Sequence, residues 1–157
     1  MQAVTEGLTI AFDHAHGDVS FVSHAHSDHL NGLKNKKQKK LILSDETFEL
    51  AGLFGEKISL NSVKTFPAGH ILGAQQIRVE EDDQVTVYTG DICTHNTVIT
   101  KGAEILPCDR LILDATYGHP DYKFPPYEEV CAEIAKWFKS TLDSGQNAII
   151  GAYELGK

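Results

Sequence analysis

The sequence predicts a sheet-rich α/β fold built in layers. Two observations carry this: short apolar runs of strand character open the chain and recur toward its end, and helical spacing is confined to a few stretches between them. The size agrees, since 157 residues, 41% of them hydrophobic, suit one soluble domain with a core of its own.

In chain order, Leu8, Thr9, Ile10, Ala11 and Phe12 alternate as a strand, with Asp13 at its end. His14 and His16 precede Gly17 in a turn and are expected to face solvent or bond to backbone. The apolar run Val19-Ser20-Phe21-Val22 is the next strand. Beyond residue 29, Leu30-Asn31-Gly32-Leu33 closes a short helix, and residues 34–40 then hold five lysines. Such a run reads as a solvated loop, and its position also lets Lys36, Lys37 and Lys39 touch a phosphate backbone.

Leu41-Ile42-Leu43 forms a buried strand. Ser44 is the N-cap of a helix that carries Asp45 and Glu46 in its first turn, an apolar face of Phe48, Leu50, Leu53 and Phe54, and Gly55 at its end. Residues 61–66 form a strand broken by Pro67. Residues 76–79 and 85–88 form two more, joined as a hairpin through the acidic stretch 80–84. Leu111-Ile112-Leu113 is again a buried strand. After Pro125 and Pro126 a long helix starts near Tyr127; Val130, Ile134, Phe138 and Leu142 recur every fourth residue beside Trp137, a stripe expected to pack in a core, with Gly145 as the stop. Residues 148–152 are expected to be the last strand.

Chemistry concentrates in Ser23-His24-Ala25-His26-Ser27-Asp28-His29. Borderline metals such as zinc prefer imidazole nitrogen and carboxylate oxygen, and packing alone does not require so dense a cluster. Alternate residues at a strand end point the same way, so His24 and His26 can converge on one metal. Asp28 and His29 fall where the chain turns into a helix and can face a second. Paired metals serve hydrolysis of phosphate and related esters.

Three further positions gain weight beside that cluster. Asp13 at a strand end can accept hydrogen bonds from the metal-binding loop and fix its imidazoles in one tautomer, a supporting role. His70 alone reads as a structural histidine, but Gly69 and Gly73 let its loop turn sharply and approach something closely. Asp91 stands behind Gly90 at a strand end, a common metal position that is weak evidence alone.

The totals exclude other classes. Cys93, Cys108 and Cys131 are odd in number and lack C-x-x-C pairing, so neither a disulfide framework nor a thiolate zinc site is indicated. A net charge of −8 argues against binding nucleic acid by general electrostatics. With no basic, apolar leader and no long apolar run, the expected setting is cytoplasmic, without a membrane.

Together these residues resemble the metallo-β-lactamase superfamily. Residues 24–29 match its H-x-H-x-D-H signature, His70 its next histidine, Asp91 its bridging carboxylate and Asp13 its first strand-end aspartate. Residues 69–74, Tyr88-Thr89-Gly90-Asp91 and Asp114-Ala115-Thr116-Tyr117-Gly118 further resemble the β-CASP branch, the nucleases that include RNA 3′-end-processing endonucleases of the cleavage and polyadenylation type.

The resemblance implies an αββα sandwich, incomplete at the C-terminus: residues 1–157 would be the N-terminal portion of the domain, without the β-CASP insert and the C-terminal part. It implies that His24, His26 and His70 bind one zinc, that Asp28 and His29 bind another, and that Asp91 bridges them around a hydroxide that attacks phosphorus. Asp28, Asp91 and Asp114 form the implied catalytic set, with Asp114 orienting a distant histidine that protonates the leaving group. Two family histidines have no counterpart here, so the second zinc is expected to be weak or absent. The implied partner is RNA or single-stranded nucleic acid, and an uncovered apolar face would call for self-association or a C-terminal partner. The alternatives are a thioester- or lactone-type hydrolase of the same superfamily and a truncated, non-catalytic binding subunit.

Overall fold

The computed structural model of the protein describes residues 1–34 and 39–156. The chain divides into two units, Met1–Asp114 with Gly156, and Ala115–Leu155.

The first unit holds two sheets. One contains β1 (Gln2–Thr5), β2 (Leu8–Phe12), β3 (Val19–Phe21), β4 (Lys40–Ile42) and β5 (Glu56–Lys57) in that spatial order; β1 and β2 are antiparallel and the other pairs parallel. The other contains β6 (Val63–Pro67), β7 (Gln75–Glu81), β8 (Gln84–Tyr88) and β9 (Arg110–Ile112), with only β8 and β9 parallel. The predicted hairpin is present. Its two-residue turn, Asp82-Asp83, takes positive φ at both positions (45° and 62°), the twist that matches right-handed strands.

Alternation decides which residues meet between the sheets. Ala3, Ile10, Phe12, Val19, Phe21 and Ile42 from the first sheet join Ile77, Val79 and Tyr88 from the second in one buried cluster. The Phe12 and Tyr88 rings stack at 4.9 Å, and Phe21 meets both edge-on at 6.4 and 6.2 Å. Burying each such ring contributes about 2 kcal/mol, which fixes how the ends of β2, β3 and β8 face one another.

The helix α1 (Asp45–Ala51) starts as expected, with Ser44 Oγ accepting from Thr47 N at 3.0 Å. It ends earlier than expected, at Gly52 in the left-handed conformation (φ 60°), because the apolar positions beyond it belong to the turn that leads into β5. The fold is thus α/β, with two sheets, two α-helices and a short 3-10 helix at Ser27–His29 among the described residues, in line with part of a metallo-β-lactamase sandwich.

The sequence reading and the structure differ at further places. Leu111-Ile112-Leu113, expected to be a buried strand, leaves Leu111 and Leu113 exposed, because β9 is the edge strand of its sheet. β1 was not anticipated; its polar–apolar contrast is slight, and its pairing with β2 defines it. Residues 148–152 form no strand, since among the described residues no neighbour offers them a ladder, and Ile149 and Ile150 are exposed. In the second unit, α2 (Tyr127–Asp143) has the predicted span but no buried residue, so its stripe lies in no core: among the described residues this unit has no sheet to receive it. Asn35, Lys36, Lys37 and Gln38, the middle of the lysine run, lie outside the described residues. Among those described, no helix is long and apolar enough to cross a membrane.

Candidate metal centre

The site residues stand at the carboxyl ends of strands. Asp13 follows β2 and Ser23-His24 follow β3, a parallel pair; Asp91 follows β8 and Asp114 follows β9, another parallel pair. Side-chain sites gather at such ends because the chain turns away there and leaves a crevice. Asp13 N donates to Phe21 O at 2.9 Å, which locks the two ends together. Gly90 allows Asp91 to come close: it adopts φ 54°, and a Cβ there would meet Ser23 Cβ at 2.5 Å. Gly69 does the same for His70, since a Cβ would lie 2.2 Å from Cys93 O.

Four predicted residues converge. Ligand atoms of His24, His26, His70 and Asp91 all lie within 4.8 Å of one another, a group that could hold a metal ion. His24 Nε2 is 3.0 Å from His26 Nδ1; His70 Nε2 is 3.3 Å from His26 Nδ1 and 3.3 Å from Asp91 Oδ2; His24 Nε2 is 3.7 Å from Asp91 Oδ2. Four ligands held tetrahedrally at 2.0–2.1 Å from an ion would be about 3.3 Å apart. The donor set therefore fits a four-coordinate cation.

Asp91 also faces the other way. Its Oδ1 lies 3.2 Å from His29 Nε2, while its Oδ2 faces His24 and His70. Asp28 approaches His29 Nε2 with Oδ2 at 3.6 Å, and its side chain is 77% exposed. Asp114 donates its backbone N–H to Thr89 Oγ1 at 3.1 Å, and its charge acts on His70.

Beneath the imidazoles lies a hydrogen-bond hub. Asp13, at φ 56°, accepts from Ser23 N (2.7 Å), Ser23 Oγ (2.7 Å), Tyr88 Oη (2.6 Å) and His29 Nδ1 (2.7 Å). Left-handed backbone in a non-glycine residue is costly, and this set of bonds holds it. The hub also fixes tautomers. The Ser23 hydroxyl proton goes to Asp13, so Ser23 Oγ, 2.9 Å from His24 Nδ1, can only accept there; His24 then carries its proton on Nδ1 and leaves Nε2 free for a ligand bond. His29 likewise gives Nδ1–H to Asp13 and turns Nε2 toward Asp91.

Charge follows the same layout. Burial, reinforced by neighbouring His29, pushes His24 down to about 4, and burial also lowers His70, so both imidazoles are neutral near pH 7. For His29, burial opposes the charge, but hydrogen bonds to Asp13 and Asp91 outweigh it and raise the ring to about 10. The His29 hydrogen bond holds Asp91 down to about 2. Burial and adjacent Asp13 raise Tyr88 above its ordinary range, so its hydroxyl remains a donor.

Ser23 and Tyr88 had no assigned role in the sequence reading. The available signal was position: Ser23 directly precedes His24, and Tyr88 opens the Tyr-Thr-Gly-Asp run. His14 matches expectation, with Nε2 2.9 Å from Met1 O.

No family model matches the chain. Among curated proteins, it is 31% identical over 154 residues to a "Probable DNA ligase" of Opitutus terrae, covering 88% of this chain and 15% of that protein. It is 28% identical over 148 residues to an "RNase J-like protein" of Methanocaldococcus jannaschii, covering 92% and 35%, and 28% identical over 109 residues to "RNase aCSPSF2" of Saccharolobus solfataricus, covering 66% and 22%. The chain thus spans between 15% and 35% of the length of these relatives.

Proposed function

We propose that this chain, which belongs to the metallo-β-lactamase superfamily in its β-CASP nuclease branch, carries a zinc centre for hydrolysing phosphodiester bonds in RNA or DNA. His24, His26, His70 and Asp91 would hold the first ion; Asp28 and His29 would hold the second, with Asp91 shared between them. The observation that carries this reading is the two-sided placement of Asp91, whose Oδ2 faces His24 and His70 while Oδ1 faces His29.

When bound, the ions supply an activated water and offset the negative charge that develops on the phosphoryl oxygens. The chain's own residues prepare the place. Asp13, through Ser23 for His24 and directly for His29, holds the Nδ1 side of both rings and turns both Nε2 atoms toward the ions; His24 presents Nε2 unprotonated, and His29 would release its Nε2 proton as a metal binds. Asp114, at the end of β9 and electrostatically coupled to His70, is the acidic group available to position a proton donor for the leaving oxygen. The substrate class follows the relatives, several of which are named as RNases and one as an endoribonuclease.

The test is metal-dependent cleavage of end-labelled RNA and single-stranded DNA by the purified chain, beside Asp91→Ala. Cleavage that requires zinc and disappears in Asp91→Ala supports the reading. Cleavage that survives the substitution, or hydrolysis of small thioesters and lactones with none of nucleic acid, overturns it.

A further inference from the structure

In the second unit, two tight turns fold residues 115–122 back on themselves: Gly118 N donates to Ala115 O at 2.9 Å and Tyr122 N donates to His119 O at 3.0 Å. They gather three aromatic rings. Tyr117 meets Tyr122 edge-on at 5.3 Å and Phe124 at 5.1 Å, while the rings of Tyr122 and Phe124 are parallel to within 8°, with centroids 6.4 Å apart. The group is not a core, because the three residues remain 63%, 54% and 67% exposed. Pro120, Pro125 and Pro126 stiffen the same short segment.

The chemistry narrows what such a group can receive. A water-facing set of parallel and perpendicular rings, two of them with hydroxyls, offers π faces that stack on any nucleobase without selecting its sequence. Lys123, between the two parallel rings in sequence, forms no ion pair among the described residues and suits a phosphate; the nearby carboxylate of Asp121 is turned to His119 Nδ1 at 3.4 Å. A chain charge of −8 disfavours binding by general electrostatics and leaves stacking as the main contribution at this segment.

We propose that Tyr117, Tyr122 and Phe124 form a stacking platform for unpaired bases of single-stranded nucleic acid, with Lys123 meeting the adjoining phosphate. The proposal rests on the nuclease reading for the class of its ligand. It concerns binding alone and uses none of the metal ligands.

The experiment measures fluorescence anisotropy of a labelled thymidine decamer, and of a decamer of abasic sites with the same backbone, against the full chain in chelator, so that nothing is cut. The platform predicts that the thymidine decamer binds at least about tenfold more tightly than the abasic one, that Phe124→Ala weakens it by about tenfold, and that Phe124→Trp restores it. It also predicts a shallow salt dependence, with a logarithmic slope of about −1 or less in magnitude, which Lys123→Gln flattens further. Equal binding of the two decamers, or unchanged binding in Phe124→Ala, overturns it. Circular dichroism of the variants identifies a folding loss, and recovery in the Phe124→Trp protein separates such a loss from loss of stacking. Absence of zinc-dependent cleavage removes the nuclease reading while leaving this measurement to decide on its own.

Discussion

His29 Nδ1 lies 2.7 Å from Asp13 Oδ2, a bond between residues sixteen positions apart that ties the metal-binding loop to the end of the neighbouring strand. The same oxygen takes the hydroxyls of Ser23 and Tyr88. One carboxylate therefore governs the direction of two imidazoles and the joint between the two sheets.

Asp13→Asn keeps the size but weakens the acceptor and introduces an N–H where donors already point. Metal affinity should fall by about 10- to 100-fold, as it does when outer partners of ligating histidines are removed. Competition with a chromophoric chelator measures this, and an unchanged affinity would mean that Asp13 only packs.

Tyr88→Phe keeps the ring that stacks on Phe12 and removes only the hydroxyl that reaches Asp13. The expected loss is about 1–2 kcal/mol of stability, the cost of an unmade buried hydrogen bond. Urea denaturation checks it; a loss above about 4 kcal/mol would point to ring repacking instead.

Gly90→Ala places a Cβ against Ser23 and forces an alanine to φ 54°. A destabilisation of about 1–3 kcal/mol is expected, together with weaker metal binding, because the residue displaced is the one that orients His24. A variant with full stability and full affinity would contradict the close approach of the β8 end to Ser23.

Protons set the stability of the metal-free protein. His29 is raised to about 10 from an ordinary 6.5, so its bonds to Asp13 and Asp91 stabilise the fold fully below pH 6.5, and that contribution disappears as the pH rises through 10. Asp91 is held at about 2, so its contribution is present above about 3.8 and lost as the pH falls toward 2. The two shifts share one hydrogen bond and count once. Denaturation midpoints of the metal-free chain should decline between pH 7 and 10.5, and His29→Gln should flatten that decline; parallel curves for both proteins would refute the assignment.

The sequence was informative where the signal was local. Alternation in residues 8–12, 76–79 and 85–88 marked strands that form, and of the dense run His24, His26, Asp28 and His29, His24 and His26 fall in the group that could hold a metal ion. His70 and Asp91 were weak alone and strong in company, and the structure brings both to His24 and His26. Asp28 comes no closer than the edge of His29. The Ser23–Asp13–Tyr88 hub was not legible, because it joins the ends of β2, β3 and β8, and no spacing rule relates residues 13, 23 and 88. The strand expected at 148–152 failed for the complementary reason: its composition suits a strand, but a strand also needs a neighbour.

The most direct measurement is zinc per chain, by elemental analysis after gel filtration, for the wild type and for a His24→Ala, His70→Ala double variant. The account predicts one zinc per wild-type chain that survives filtration, a second that a weak chelator removes, and none in the double variant. A wild-type chain that retains no zinc after zinc has been supplied, or a double variant that retains as much as the wild type, would contradict the assignment of His24, His26, His70 and Asp91 as a metal centre.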